Sequence, residues 1–407
     1  MTPPPPPDAP GVALLVSNLK TGGAERNAVD LACALPRQGI RPLVLVADES
    51  GPLEHVLRKA GVPVEFLNAE RWRPKSSPAF WRNLFTTARR IRVACAAHRC
   101  AVIHAFLFWE NPLAMLALRR GGFPRRLVTG RLNLGHWKAG RPHYQVIENA
   151  INLRTDAVVG NSLGVYAACH DQERFLGEKM RVIYNGIATE RFRDAAPVDL
   201  GERYPALADA EAVAICVANL RPEKRHDVWL RALAEARQSA PGLKGLLAGR
   251  DSGEQGKVEA LIRELGLEGA VVLAGSVDDP APLLRAADLF LLTSDTEGLP
   301  TALAEAMAAG LPVISTPAGG VPEIVADGET GLIVPFRDAG AAAQAMVRLV
   351  RDAALRERLA AAGQEFALRR FDLDAHAAAH GRLYRALAAG GALPPGADRT
   401  PVLEAEG

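Results

Sequence analysis

Two glutamates separated by seven residues, Glu297 and Glu305, lie in the second half of the chain. A helix is expected to open at Pro300 or Thr301, because proline's fixed φ suits the first helical turn. Glu297 then lies in the loop before the helix and Glu305 on its second turn. The free N–H groups of such a helix attract a diphosphate, and the carboxylates would accept hydrogen bonds from neighbouring hydroxyls. The pattern predicts a nucleotide-sugar site; the alternative is two solvated glutamates that only flank a helix.

Two other segments could contact the same anion. Gly22 and Gly23 separate a predicted strand from a predicted helix, where the backbone can approach a ligand closely. They do not form GxGxxG, which argues against a dinucleotide fingerprint, and a bare turn is the alternative. Arg221 and Lys224 follow the first strand of the second half, where two cations could neutralise a leaving diphosphate. An exposed basic loop is the alternative for this second segment.

Short β-rich runs alternate with amphipathic helical stretches along most of the chain. Continuous apolar strands separated by helices predict parallel sheets that are covered on both faces. The alternation restarts at Val213, so we predict two tandem doubly wound α/β domains. The predicted strands are Val12–Ser17, Leu43–Ala47, Val64–Leu67, Val102–His104, Leu127–Thr129, Ala157–Gly160, Val213–Val217, Leu243–Ala248, Ala270–Ala274, Asp288–Leu292, Pro312–Ser315 and Gly331–Val334.

The domain organisation follows from this alternation. Ligands of doubly wound sheets bind outside the carboxyl ends of the strands, so a central cleft between two facing domains is the expected active site. We expect both chain termini to be disordered. The predicted parts are a Pro-rich N-terminus over 1–10, a Rossmann-like domain over 11–190, a second Rossmann-like domain over 191–371, a helix over 372–389 that packs back on the first domain, and a tail over 390–407.

The charge of the chain is unevenly distributed. The 407 residues carry a formal net charge of +2, which excludes a uniformly basic nucleic-acid-binding protein. Residues 1–190 hold 25 Lys and Arg against 15 Asp and Glu, whereas residues 191–407 hold 23 against 31. A polarity this large between the two halves needs an explanation.

Cysteine usage and hydropathy favour a cytoplasmic protein. The five cysteines are odd in number and form no CxxC, which argues against a disulfide framework or a zinc site. The N-terminus has no positive segment followed by an apolar core, so a signal peptide is not expected. The sequence contains no run of about 18 apolar residues, so no transmembrane helix is expected.

Several motifs together resemble the retaining glycosyltransferases of family 4, which have the two-domain GT-B fold. Glu297 and Glu305 match the Glu-x7-Glu motif of the family, including the Gly298-Leu299-Pro300 that follows its first glutamate. The stretch Gly319–Pro335 is similar to the closing block, Thr21–Glu25 to the Gly-Gly loop, and Tyr184–Ile187 to the end of the N-terminal domain. The resemblance covers roughly residues 12–388, with its motifs in order.

The resemblance implies that the basic domain over 11–190 binds the acceptor and that the domain over 191–371 binds the nucleotide-sugar donor. It implies that Glu305 accepts the ribose hydroxyls and that Glu297 contacts the transferred sugar. The base of the donor nucleotide would contact backbone groups, so its identity is left open among uracil, guanine and adenine. The expected donor-binding residues are Gly22, Gly23, Asn219, Gly275, Ser276, Val277, Gly298, Leu299, Pro300, Thr301 and Glu305.

The expected catalytic residues are Lys224, Arg221, Glu297 and Arg131. Many relatives carry an arginine where this chain has Asn219, so Arg221 is the hypothetical substitute. Relatives often place a histidine near the position of Arg131. Arg131 could clamp a phosphate, but it cannot act as a base because an arginine stays protonated. Donor cleavage is expected to need no metal or other cofactor, and no Asp-x-Asp pair is placed to hold one. Two histidines of the first domain are weaker candidates for the acceptor site, namely His104 and His136.

A basic helix is predicted over residues 78–99. Its apolar stripe is Trp81, Phe85, Ala88, Ile91 and Cys95. A helix packed on its sheet with a solvated basic face is one interpretation. The other is an interfacial helix that attracts anionic lipids at the inner face of the cytoplasmic membrane.

The sequence therefore predicts a retaining, metal-independent glycosyltransferase. It would transfer a sugar from a nucleotide diphosphate sugar to a glycan or lipid-linked glycan, in bacterial surface polysaccharide synthesis, without a nucleic-acid partner. A non-catalytic GT-B scaffold subunit and a non-hydrolysing epimerase-like enzyme are the alternatives.

Overall fold

The chain forms two compact units. Among the described residues, one consists of those within 1–186 together with 373–394, and the other of residues 187–372. The structure is a computed structural model that describes residues 5–6, 8–69, 78–119, 121–135, 138 and 140–394. The segments predicted to be disordered, residues 1–10 and 390–407, lie partly outside the described residues.

The first unit contains a seven-stranded parallel sheet in the order β3-β2-β1-β4-β5-β6-β7. Its first, fourth and sixth strands are buried along their whole length, as expected for a sheet with helices on both faces. The strands are β1 (Gly11–Val16), β2 (Arg41–Val46), β3 (Val64–Phe66), β4 (Cys100–Ala105), β5 (Arg126–Arg131), β6 (Ala157–Gly160) and β7 (Met180–Val182).

Helices cover this sheet and include one from the far end of the described chain. The side chains of β1, β2, β4 and β5 divide between two buried apolar clusters, one on each face. The helices are α1 (Gly23–Ala34), α2 (Leu53–Lys59), α3 (Pro78–Ala97), α4 (Glu110–Ala117), α5 (Pro142–Arg154), α6 (Leu163–Gln172) and α15 (Leu373–Ala389).

The second unit repeats the same topology with six parallel strands in the order β10-β9-β8-β11-β12-β13. Its strands are β8 (Ala212–Val217), β9 (Leu243–Ala248), β10 (Val271–Gly275), β11 (Leu289–Leu292), β12 (Val313–Ser315) and β13 (Leu332–Ile333). Its helices are α7 (Thr189–Arg193), α8 (Leu200–Arg203), α9 (His226–Ser239), α10 (Gln255–Glu264), α11 (Ala281–Ala286), α12 (Thr301–Ala308), α13 (Ala339–Arg351) and α14 (Ala353–Arg370). Both sheets are parallel, which confirms the predicted pair of doubly wound α/β units.

Each sheet reverses its strand order at one point. The reversal lies between β1 and β4 in the first unit and between β8 and β11 in the second. The loops after these two strands diverge to opposite faces, which leaves a crevice at the carboxyl ends where doubly wound proteins bind ligands. We call these two places the switch points.

Helix α3 differs from its predicted apolar stripe. Ala88, Ile91 and Cys95 are buried as predicted, and Leu84, which is outside the predicted stripe, is buried as well. Trp81 and Phe85 instead are 53% and 55% exposed. The packing against α4 therefore uses a narrower stripe and leaves two aromatic side chains in solvent. Within the described part of the chain, no helix combines the length and the hydropathy needed to cross a membrane.

Candidate functional site

A lysine and a glutamate meet across the switch point of the second unit. Lys224 ends a short 3-10 turn after β8, and Glu297 lies in the loop after β11. The Lys224 Nζ donates to Glu297 Oε1 at 2.6 Å, and the Ser294 hydroxyl donates to the same oxygen at 2.6 Å. The side chains are 21% and 10% exposed, so the pair is open to a ligand although it is largely packed. The structure thus brings together two of the residues predicted for catalysis.

Backbone bonds join the two loops that carry this pair. The Asp295 N–H donates to Glu223 O at 2.8 Å, one residue before the lysine. The Thr293 hydroxyl donates to the carbonyls of Lys224 and Arg225 at 3.2 and 2.9 Å. Behind them, the fully buried Trp229 donates from its Nε1 to Leu291 O at 3.2 Å and anchors α9 against β11. The pair is therefore held by elements on both sides of the switch point.

The start of α12 lies next to Glu297. The helix begins at Thr301 with Pro300 as its N-cap, and proline has no side-chain oxygen to cap the free N–H groups. Gly319 has a φ of +55°, and a Cβ there would overlap the Glu297 carbonyl, so only glycine fits. The Gly320 N–H donates to Gly298 O at 2.8 Å and holds the loop against this turn. An uncapped helix end beside a cation is suited to bind an anion.

The other residues predicted for donor binding lie before and on α12 and at the end of β10. Glu305 is half-buried on the second turn of α12, and Leu299 is buried. Gly275 ends β10 with a φ of +66°, and its backbone and Ser276 are exposed, with Val277 half-buried. These placements leave the backbone at the end of β10 accessible to a ligand.

Asn219, which departs from the family pattern, and Arg221, its hypothetical substitute, have different surroundings. Asn219 accepts a hydrogen bond from Arg250 N at 3.1 Å and so supports the neighbouring loop. Arg221 is half exposed and lies 3.8 Å from Glu223. Arg221 is therefore close to Lys224 in the sequence, but its ion-pair partner in the structure is Glu223 and not Glu297.

The switch point of the first unit contains a different pair, which the sequence analysis missed. Ser17 follows β1 and donates its hydroxyl to Oε1 of Glu110, the first residue of α4 after β4. Glu110 is only 3% exposed, and its Oε2 has no hydrogen-bond partner among the described residues. Burial raises the pKa of Glu110 to about 7. A lone glutamate in an apolar and aromatic segment directly after a strand was the available signal.

The Gly22–Gly23 loop lies at the start of α1 in the same unit. Gly22 is the N-cap of the helix and has an extended backbone. A Cβ on Gly22 would overlap the Glu25 carboxylate, which lies over this glycine. The Glu25 charge also contributes to the raised pKa of Glu110, after the effect of burial. The loop and the Ser17–Glu110 pair therefore belong to one neighbourhood.

The predicted catalytic role of Arg131 needs correction. Arg131 ends β5, is 5% exposed, and donates from Nε and Nη2 to Glu173 at 2.9 Å. Nη2 also donates to Asn152 Oδ1 at 3.0 Å, and Nη1 donates to Gly130 O at 3.1 Å. Lys138 pairs with the same glutamate and with Glu148, beside a cavity of about 30 Å³. The guanidinium is committed to a buried ion cluster and is not placed to clamp a phosphate.

The histidine predictions for the acceptor site also change. His104 is 1% exposed, its Nδ1 lies 2.7 Å from the Tyr384 hydroxyl, and its ring stacks on Phe106 at 4.2 Å. Burial lowers the pKa of His104 to about 3, so the ring is neutral. A buried neutral ring inside the core cannot contact an acceptor, which corrects this prediction. His136 lies outside the described residues.

No group of three or more His, Cys, Asp or Glu side chains that could hold a metal ion occurs among the described residues. All five cysteines are free thiols.

Comparisons with known proteins cover both units. The model of the family described as Glycosyltransferase Family 4 matches residues 21–191, and the model described as Glycosyl transferases group 1 matches residues 203–366. Together these matches include the Gly-Gly loop, the Lys224–Glu297 pair and α12.

Individual relatives agree with the family models. The chain is 34% identical to the lipopolysaccharide core biosynthesis glycosyltransferase LpsE of Rhizobium meliloti over 54% of its length, which is 62% of that protein. It is 25% identical to EpsD of Bacillus subtilis over 80% of its length and 84% of that protein. The chain therefore spans less than two thirds of LpsE but most of EpsD.

Solved structures show the same fold. The crystal structure of Anabaena HepE in complex with UDP and glucose superposes with a TM-score of 0.77 at 24% identity, covering 90% of this chain and 97% of that one. This likeness shows that the two α/β units are those of a GT-B protein. With family models matching both units in order, the chain belongs to the family 4, group 1 glycosyltransferases.

Proposed function

We propose that the protein is a retaining glycosyltransferase that uses a nucleotide diphosphate sugar as its donor. The observation that carries this proposal is the Lys224–Glu297 pair at the switch point beside the uncapped start of α12. An ammonium has three N–H donors, so Lys224 can hold Glu297 and still donate to a diphosphate oxygen. The UDP complex of HepE supports this class of donor.

The chemistry follows from these positions. As the bond between the anomeric carbon and the phosphate oxygen breaks, negative charge develops on the diphosphate. Lys224 and the helix end at Leu299–Thr301 are placed to stabilise that charge, and Glu297 to orient the sugar through its hydroxyls. The acceptor oxygen forms its bond on the same face of the sugar, and its proton passes to the leaving phosphate oxygen. We propose that this reaction retains the anomeric configuration and needs no metal.

Glycan or lipid-linked glycan acceptors in bacterial surface polysaccharide synthesis fit the basic first half of the chain and the name of the relative LpsE. Cytoplasmic nucleotide sugars would then meet an acceptor at the inner membrane face. Helix α3 is the proposed membrane contact, because it exposes Trp81 and Phe85 next to Arg82 and Arg89.

A panel of UDP-, GDP- and ADP-sugars tests the donor proposal. A bound donor should raise the melting temperature, because a ligand that binds only the folded state stabilises it. Donor hydrolysis with and without EDTA then tests turnover and metal independence, and NMR of the glycoside tests retention. Lys224→Ala is the control that should lose the response. Binding without turnover against any acceptor would favour a scaffold, and no response to any donor would overturn the proposal.

Flotation with vesicles tests the membrane contact separately. The protein should float with vesicles that contain anionic phosphatidylglycerol and should be released by salt, since lipid electrostatics are screened. The double variant Arg82→Glu/Arg89→Glu should lose this binding, whereas Lys257→Glu on α10 of the second unit should keep it. Equal flotation of all three proteins would reject α3 as the contact.

A further inference from the structure

An ion cluster lies directly beside the Lys224–Glu297 pair and outside the positions predicted for the site. Asp295 accepts hydrogen bonds from Arg337 Nε at 3.1 Å and Nη2 at 2.9 Å, and from Arg225 Nη1 at 3.3 Å. Arg225 follows Lys224 in sequence, and Asp295 lies two residues before Glu297. The cluster therefore connects the two loops that carry the pair.

The backbone at both arginines is unusual. Arg225 has a φ of +52° and Arg337 a φ of +60°, in the left-handed region that residues other than glycine seldom adopt. Such conformations persist where the surroundings hold them in place. The Arg337 side chain ends on the Asp295 carboxylate. The Arg225 side chain lies between two carboxylates, donating to Asp227 at 2.9 and 2.7 Å and to Asp295 at 3.3 Å.

The carboxylate of Asp295 is fully engaged by this arrangement. Arg337 binds both of its oxygens, and Arg225 binds Oδ2. Hydrogen bonds from Arg337, and to a smaller extent from Arg225, hold the pKa of Asp295 below its ordinary range. The side chain is 23% exposed and is directed to its partners, so it acts on a ligand only through other residues.

We infer that Asp295 is a positioning residue that, through Arg225 and its own backbone bond to Glu223, sets the distance between Lys224 and Glu297. Its relevance to catalysis rests on the proposed function. The positioning itself is a property of the protein without ligand, and it can be measured without a sugar donor.

Competitive acetylation of lysines by acetic anhydride, followed by peptide mass spectrometry, measures the pair directly. An amine that donates to a carboxylate is less available for acylation than a free one. Lys224 should be acetylated faster in Asp295→Asn than in the wild type, by about threefold or more. Lys244, which pairs with Asp209 in the same unit, should not change.

A reciprocal variant serves as the matched control. Asp209→Asn should raise the acetylation of Lys244 and leave that of Lys224 unchanged. Asp295→Glu keeps the carboxylate and should return Lys224 to within about twofold of its wild-type rate. If Asp295→Asn fails to fold by circular dichroism, Arg225→Ala cuts the same link from the other side.

Kinetics then relates positioning to catalysis. With the donor identified by the panel, Asp295→Asn should lower kcat by about tenfold while donor KM changes by less than about threefold, because a misplaced charge acts mainly in the transition state. In the Lys224→Ala background the same change should have no further effect. A purely structural role would lower the melting temperature in both backgrounds without this coupling.

The two failures are distinguishable. If no donor is bound or cleaved by the wild type, the proposed function fails while the acetylation result still stands. If Lys224 is acetylated equally in the wild type and Asp295→Asn, although Asp209→Asn raises Lys244, the inference is overturned whatever the donor.

Discussion

The two switch points occupy equivalent places in two sheets of the same topology, yet they present different chemistry. In each unit a glutamate after the fourth strand meets a residue after the first strand. In the first unit the partner of Glu110 is the Ser17 hydroxyl, and in the second unit the partner of Glu297 is the Lys224 ammonium. The fold thus fixes where a glutamate can lie, and the residue opposite decides which charge the site offers.

Burial adds to this difference. Glu110 is almost inaccessible and forms no ion pair with any cation in the described part of the chain, so its charge is disfavoured and its pKa rises to about 7. Glu297 shares one oxygen with an ammonium and a hydroxyl at the surface of a crevice. The second switch point is suited to an ionic ligand, whereas the first offers a carboxyl whose ionised form is disfavoured by burial.

The largest expected difference between the units is their response to acid. Burial lowers the pKa of His104 to about 3 and of His376 to about 4, and it places that of His380 well below its ordinary range. The folded state then binds fewer protons than the unfolded state below about pH 6.5, so stability falls as the pH drops. Three such groups cost the first unit up to about 4 kcal/mol per pH unit.

Hydrogen exchange at pH 7.5 and 5.5 separates the units. The second unit has one histidine, His226, whose pKa burial lowers to about 4. In the first unit the protonation of Glu110 offsets part of the loss caused by the three buried histidines, so the second unit should lose about half as much stability as the first. His380→Leu should reduce the pH dependence of the first unit's free energy of unfolding by the equivalent of about one proton. Equal acid sensitivity of both units would contradict this assignment.

The next largest effect concerns turnover. Lys224→Ala removes the cation proposed to face the leaving diphosphate, so kcat should fall by about 100-fold or more, as for the loss of one preorganised donor. Ser17→Ala, the equivalent change at the other switch point, should lower it by less than about tenfold. Donor hydrolysis measures both. Comparable losses would show that the two switch points share the ionic role.

Glu110→Gln tests the charge of the first switch point. Because the folded pKa of about 7 lies above the unfolded value near 4.5, ionisation destabilises the fold as the pH rises through this window. The variant, which cannot ionise, should be more stable than the wild type by about 3 kcal/mol at pH 8 and by about 1 kcal/mol at pH 5. Urea unfolding at the two pH values measures this. Glu178→Gln, at an exposed position of the same unit, is the control, and a pH-independent difference would refute the assignment.

Ser17→Ala should produce the smallest effect on stability. It removes one hydrogen bond to a buried carboxyl, at a cost of about 1 kcal/mol. In the Glu110→Ala background the same change should have much less effect, because the acceptor is gone. Additive losses in this double-mutant cycle, measured by urea unfolding, would argue against the bond.

Local patterns predicted the elements well because strands buried on both faces are continuous apolar runs. Strands β6 and β9 have the predicted bounds, whereas β7 was missed because it spans only Met180–Val182. Lys224 and Glu297 were predicted from motifs. Their contact, and the partners of Arg131, depend on residues 73 and 42 positions away, which no local pattern specifies.

Helix α15 has a consequence for the order in which the protein is made. It supplies Tyr384 and Leu383 to the main core of the first unit, where the Tyr384 hydroxyl lies against His104. Residues 1–186 leave the ribosome first, yet this core is incomplete until residue 389 has been synthesised. The second unit lies between these two parts of the sequence and has all its strands and helices by residue 370. During translation the second domain can therefore fold to completion while the first still awaits its last helix.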